Sequence, residues 1–383
     1  MKLFPHCLLL DSDPKLNKEV GVRNHGITES CGRRWQEIGR RLLQPAGRIY
    51  AAGMRVRSAL YSTWLLGSWK PPRPCISVGN IGLGGKGKTP LAQWLLQSAA
   101  MEDQTPVLLT RGYKASPPFY PFWVRSDSRP SESGDEPLML ARSCKGALVV
   151  VDPRRDRGGQ WIQERNRPDL FVLDDGMQHM RVGRDLDLVL LDSGDLTQDW
   201  NMVLPAGPWR EGKKALQRAH AILLNVPQQR EEEMFARLRA RFALEKRPVF
   251  SFHLETAGLK WMDGSAAEHP PGEPYLLFSG VGSPQGVKES AAELLGGPPQ
   301  RHLVFPDHHP FTNGDWEKIR RTADSLSCRT IVCTAKDAVK LEGRKDPRLA
   351  WLDVRLSFGG SDNTDLDFPS WLERSLGIAF QGW

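Results

Sequence analysis

The 383-residue chain predicts an α/β fold, a mostly parallel sheet with helices on both faces followed by a second, smaller α/β domain. Three observations carry this. Continuous apolar runs alternate with helical stretches from Cys75 onward, as in buried parallel strands. A glycine-rich turn sits between the first of these strands and the helix after it. A charged stretch, "QQREEEMFARLRARFALEK", separates that series from a second set of strand-like runs. The four segments expected are an extension (1–32), a basic amphipathic segment (33–70), the larger domain (71–226) and the smaller one (227–383).

The first 32 residues are polar and without sustained periodicity, which predicts a poorly ordered extension. From Gly32 to Arg73 there are nine basic residues against one acid, Glu37. Trp35, Ile38, Leu42, Ile49, Leu60, Trp64 and their apolar neighbours recur at helical spacing, with Pro45 as an expected break. Two readings stay open: an amphipathic surface for an anionic lipid headgroup layer, or a helical pair packed on its own domain. Nucleic acid would also attract the charge, but no nucleic-acid fold signature accompanies it.

No run reaches the roughly 18 to 20 apolar residues of a membrane-spanning helix, and "MKLFPHCLLLDSDPK" is too short in apolar residues for a secretory signal. A cytoplasmic protein is expected. The six cysteines are scattered without a CxxC pair, which argues against a zinc site or a disulfide framework.

Within 71–226 the strand-like runs are "CISVGN", "VLLT", "ALVVV", "LFVLDD", "LDLVLLD" and "AHAILLNV", and residues 116–137 read as a long loop. Gly82, Leu83, Gly84, Gly85, Lys86, Gly87, Lys88 and Thr89 satisfy G-x-x-x-x-G-K-[ST] between a strand and a helix, the latter interrupted early by Pro90. The glycines let backbone N–H groups face an anion, and the helix adds its positive end. Lys88 is expected on the β and γ phosphates and Thr89 on Mg²⁺. A P-loop NTPase-type domain follows from this context. Asp174 and Asp175, at the end of "LFVLDD", compete for the second metal position. ATP is favoured over GTP, because the only approach to an Asn-Lys-x-Asp guanine reader is the mismatched "TAKDAVK". The second series runs "PVFSFHL", "YLLFSGVG", "RHLVFP", "RTIVCTAKD" and "LAWLDVRL".

A phosphate loop does not separate a kinase from a switch or partitioning ATPase that binds a protein partner. "SVGNIGLGGKGKTP", "LLTRGYK", "SGDEPLML", "FVLDDGMQH", "DLDLVLLD", "LPAGPWRE", "FSGVGSP", "FPDHHPF" and "TAKDAVK" occur in an order and spacing that resembles the tetraacyldisaccharide 4'-kinase family. The resemblance implies transfer of the ATP γ-phosphoryl, with Mg²⁺, to the 4'-hydroxyl of a tetraacyldisaccharide 1-phosphate, forming lipid IVA at the cytoplasmic face of the bacterial inner membrane. It also implies Asp135 as the catalytic carboxylate and His308, with His309 as its alternative, as the histidine that orients it. Arg111, Arg157 and Arg210 would meet the lipid headgroup, with Arg154 or Arg155 able to replace Arg157. Gln178 and His179 would stand near the metal or the sugar. A lipid acceptor that stays in the bilayer favours the membrane reading of residues 33–69. A kinase for a soluble metabolite would leave that segment without a purpose. The chain departs from the family pattern at Ala335, where the family usually has Glu, and around "VDPRRDRGG".

Overall fold

A computed structural model describes residues 25–380 apart from 64, 271, 342 and 345, with side chains of the first helix described from 40 onward except 41. The expected extension lies outside the described residues up to 24, and residues 25–32 belong to a helix. The strands are β1 (Cys75–Asn80), β2 (Pro106–Thr110), β3 (Phe122–Val124), β4 (Leu148–Val151), β5 (Leu170–Asp174), β6 (Leu186–Asp192), β7 (Ala221–Asn225), β8 (Val249–Trp261), β9 (Ala266–Ala267), β10 (Tyr275–Ser279), β11 (Arg301–Val304), β12 (Thr330–Thr334) and β13 (Leu349–Asp362). The α-helices are α1 (His25–Ser62), α2 (Lys88–Met101), α3 (Pro130–Ser133), α4 (Asp135–Ser143), α5 (Arg155–Gln163), α6 (Glu231–Arg241), α7 (Pro284–Leu295), α8 (Asn313–Ser325), α9 (Ala335–Ala338) and α10 (Phe368–Leu376).

The strands form one sheet in the order β11-β10-β12-β13-β8-β7-β6-β1-β5-β2-β4-β3, with β9 beside β8. Every residue of β1 is buried, because helices cover both faces of the sheet around it. β1 lies parallel between β5 and β6. The order around β1 reverses at this point, where open α/β sheets form a crevice beyond their strand ends. Among the described strands, the antiparallel pairs are β3 with β4, β8 with β9, and the long pairing of β8 with β13. That ribbon joins the two strand series, so the sheet continues across residue 227. Residues beyond β13 return to the first series. Phe368, Leu372 and Phe380 share a core with Val78, Leu91, Trp94 and Leu95 from β1 and α2.

Three local expectations need correcting. α2 runs through Pro90, which stands in its first turn, where an amide N–H has no helical acceptor in any case. α1 is one helix through Pro45 rather than a broken pair. Contacts beside the proline hold it: a Cβ on Gly47 would stand 2.8 Å from the Val203 carbonyl oxygen, Ala51 packs on the core, and Arg40 pairs with Asp199 at 3.1 Å. The expected loop 116–137 contains β3, α3 and the start of α4; β3 is a three-residue edge strand, too short for periodicity to reveal.

Candidate active site

The loop between β1 and α2 turns through left-handed positions at Gly84 (φ 101°) and Gly87 (φ 92°). Gly87 admits no side chain: an added Cβ would meet the Phe252 ring at 2.8 Å. Lys88 Nζ donates to Asn80 Oδ1 at 2.9 Å and lies 3.6 Å from Asp175 Oδ1. Leu83 is exposed, and its N–H donates to the Pro208 carbonyl. The Lys86 side chain turns inward to Asp192 and Asp195, so only its backbone is free to meet a phosphate.

The two acids at the end of β5 have different environments. Asp174 accepts from Thr110 Oγ1 at 2.8 Å; burial, with Glu136 adding repulsion, raises its pKa above the ordinary carboxylate value. Asp175 has φ 48°, sparsely populated for a residue with a side chain. Burial raises its pKa, but Lys88 and Arg210 outweigh that and hold it low. Its Oδ2 accepts from Arg210 Nη1 at 2.7 Å, and its buried Oδ1 has no hydrogen-bond partner.

Asp135 and Glu136 open α4, where the helix dipole favours negative charge. Gly134, at φ 83°, turns the chain into this helix. Glu136 Oε2 accepts from the Thr89 hydroxyl at 2.8 Å, tying α4 to the phosphate loop. Asp135 Oδ2 lies 3.0 Å from His308 Nδ1, and Lys340 Nζ stands 3.8 Å from the same oxygen. His308 has φ 60° and stacks edge-on against Tyr113 with ring centroids 5.2 Å apart. His309 instead pairs with Asp315 at 3.0 Å, which separates the two histidines by role. Lys336 contacts His308 Nε2 at 3.0 Å, and Glu136 and Asp307 at 3.2 Å each. Burial opposes the Lys336 charge, but these carboxylates more than offset it and raise its pKa. Lys340 is almost wholly buried, 2.7 Å from Asp337.

Among the lipid-substrate candidates, Gln178 Nε2 donates to the Asn80 carbonyl and to Glu211, both at 3.2 Å, while its Oε1 accepts from Arg210 at 3.3 Å. His179 is held in the same turn, its carbonyl accepting from Arg184. Burial and nearby Arg155 depress its imidazole to about 3, so it is neutral, with Nε2 buried and unpaired. Arg111 is exposed at the end of β2. Arg157 forms a bidentate pair with Asp152, at 2.8 and 2.9 Å, away from the acids of β5. Its neighbour Arg155 donates to the Asp174 carbonyl at 3.0 Å and is the arginine of this run that reaches those acids.

Several residues of the cluster escaped sequence reasoning. Glu136 was visible only as the acid after Asp135 in "SGDEP". Lys336 and Lys340 sit in "TAKDAVK", whose mismatch to a guanine reader hid two lysines four apart, spacing that puts them on one side of a helical turn. The signal that could have found Asn80 is an amide side chain at the end of a mostly apolar strand.

Among the described residues, no group of three or more His, Cys, Asp or Glu is arranged as a metal cage. No helix there is long and apolar enough to cross a membrane.

Residues 39–373 match the family described as LpxK, tetraacyldisaccharide-1-P 4'-kinase. The tetraacyldisaccharide 4'-kinase of Nitratidesulfovibrio vulgaris is 45% identical over 331 residues, covering 86% of this chain and 92% of that one. The tetraacyldisaccharide 4'-kinase of Oleidesulfovibrio alaskensis is 48% identical over 302 residues, 78% of this chain and 83% of its own. The crystal structure of the "apo" form of LpxK from Aquifex aeolicus in complex with ATP superposes with a TM-score of 0.70 at 28% identity, covering 89% of this chain and 99% of that one.

Proposed function

The chain belongs to the tetraacyldisaccharide 4'-kinase family, and from that premise we propose how its own residues carry ATP-dependent phosphorylation of the 4'-hydroxyl of a tetraacyldisaccharide 1-phosphate to lipid IVA. Family membership decides for a kinase over a switch or partitioning ATPase. One observation carries the residue assignment: the 2.8 Å bond from Thr89 to Glu136 brings the Asp135–His308 pair beside the phosphate loop.

Residues 82–89 wrap the ATP phosphates with backbone N–H groups, and Lys88 compensates charge on the β and γ groups. Asp135 accepts the proton of the acceptor hydroxyl as its oxygen attacks the γ-phosphorus. The bond from that phosphorus to the ADP oxygen breaks, and ADP leaves. His308 orients the carboxylate, and Lys340 Nζ stands 3.8 Å from the same oxygen. Lys336 ties His308 and Glu136 into one arrangement. Arg210, beside Asp175 and Gln178, presents a planar fork suited to phosphate oxygens, as does exposed Arg111.

Asp175 and Thr89 suit Mg²⁺, since Asp175 has a buried oxygen without a hydrogen-bond partner and Mg²⁺ takes one or two carboxylates beside substrate phosphates. Bound there, the ion would neutralise charge on the transferring phosphoryl group.

α1 serves as the peripheral contact with an anionic membrane on the cytoplasmic face. Leu42, Ile49 and Val56, seven apart, are 76, 75 and 61% exposed, with exposed Arg48 and Arg55 next to them. Its other side packs on the larger half, where Arg57 donates to the Gln178 carbonyl at 3.1 Å. The exposed apolar and basic face supports the membrane reading, while the opposite face packs on the chain's own core.

The test is incubation with γ-labelled ATP, Mg²⁺ and a tetraacyldisaccharide 1-phosphate, followed by organic extraction. Label in the extracted lipid is expected; label confined to free phosphate rejects the assignment.

A further inference from the structure

Lys86 is the residue of the phosphate loop that behaves least like a loop lysine. Its side chain is 9% exposed, and its Nζ meets Asp192 at 2.5 Å and Asp195 at 3.2 Å. Asp195 is wholly buried, and its Oδ1 also accepts from Trp209 Nε1 at 2.8 Å. The two acids brace each other through the backbone: Asp192 N–H donates to Asp195 Oδ2 at 3.1 Å, and Asp195 N–H to Asp192 Oδ1 at 2.9 Å. Burial works against the charge on Lys86, but Asp195 and Asp192 outweigh it and raise its pKa. Trp209 precedes Arg210, whose N–H donates to the Ile81 carbonyl at 2.7 Å, just before the loop. The Leu83 N–H reaches back to Pro208 at 2.9 Å, and Asn225 Nδ2 donates to the Lys86 carbonyl at 3.4 Å.

We propose that Lys86, Asp195 and Trp209 form a strut that holds the phosphate loop and the Arg210 arm in one register, making Lys86 and Asp195 positioning residues for both substrates. The strut rests on the reading of 82–89 as the ATP loop. A lysine committed to two carboxylates does not bind a phosphate with the same atom. Its part is to fix the backbone N–H groups around it before ATP arrives, so that less ordering remains for the bound state. Asp195 serves two clients at once, the lysine of the donor loop and the indole next to the acceptor-side arginine. Removing its charge weakens the link between them and leaves Lys86 on Asp192 alone.

The test uses full-length Lys86→Met, Lys86→Arg, Asp195→Asn and the double variant Lys86→Met/Asp195→Asn. Each is titrated with a fluorescent ATP analogue, assayed for KM and kcat, and melted. A one-ångström misplacement is enough for large losses, so Lys86→Met and Asp195→Asn should each weaken analogue binding by about ten- to a hundredfold. The double variant should lose no more than the worse single, and Lys86→Arg should recover most of the loss. Should a single variant fail to fold, the double variant, which removes the two buried charges and leaves only part-exposed Asp192, carries the comparison with wild type. Lower melting points with unchanged KM for ATP would reduce the strut to a structural role and overturn the proposal. Loss in Lys86→Met with none in Asp195→Asn would also overturn it, by making Lys86 a direct phosphate ligand. Failure of the wild type to bind the analogue would instead refute the nucleotide reading of the loop.

Discussion

The pairing of Asp135 with His308 offers the sharpest test of the site. Replacing Asp135 by Asn keeps its shape and removes the proton acceptor. General-base catalysis contributes about 10²- to 10⁴-fold, or about 3–5 kcal/mol of barrier. His308→Ala leaves the carboxylate at the α4 N-terminus, with Lys340 Nζ 3.8 Å away. What is lost is one hydrogen bond to a charged group, worth about 1.5–3 kcal/mol, so kcat should fall roughly ten- to a hundredfold. Because His308 acts through Asp135, the double variant should be no slower than Asp135→Asn alone. The assay is the initial rate of label transfer into extracted lipid at saturating ATP, with the KM for ATP measured separately. Multiplied losses in the double variant would refute the orientation argument. Retention of kcat within about threefold in Asp135→Asn would refute its role as the base.

Gly87→Ala should raise the KM for ATP at least tenfold, since the added methyl must enter the Phe252 ring from a left-handed backbone; unchanged ATP kinetics would remove the loop from the nucleotide site. Leu42→Glu/Ile49→Glu should weaken sedimentation with anionic liposomes while leaving the melting temperature within a few degrees, about what exposed positions tolerate; unchanged partitioning sinks the membrane role of α1. His179 sets a pH dependence. Its folded pKa, about 3, lies below the unfolded 6.5, so between those values the unfolded chain binds the extra proton and stability falls as pH drops. The loss by pH 5, at most about 2 kcal/mol and about 1 after allowing for solvent access, should be smaller in His179→Gln. Urea midpoints at pH 7 and 5 measure it, and parallel pH slopes in wild type and variant would contradict the buried neutral imidazole.

The elements that local pattern could reveal were legible. β1, β5 and β6 are continuous apolar runs because both faces are covered, and the phosphate loop carries its own spacing. Asp135 and His308 were named through the resemblance, since 173 positions separate them and no periodicity links them. What local pattern missed depends on tertiary contact. Pro45 does not break α1 because Gly47 and Ala51 are seated on the core. Lys336 and Lys340 became part of the site only when the second strand series brought them against α4. Lys86 reads as one more loop residue until Asp192, at the end of β6, and Asp195, in the turn after it, are brought to its side chain.

The return of the chain after β13 bears on synthesis. Trp94 of α2 packs against Phe358, Phe368 and Phe380, and Gln104 donates to the Ala379 carbonyl 275 positions later. The hydrophobic core under the phosphate loop is thus missing a wall until nearly the whole described chain has left the ribosome. A nascent chain that has emerged only through β7 exposes Trp94 and Leu91 to water and has no complete nucleotide-binding half to close over ATP. Such long-range closure slows folding and leaves apolar surface available to chaperones during translation. The enzyme matures as a unit, after α10 is delivered.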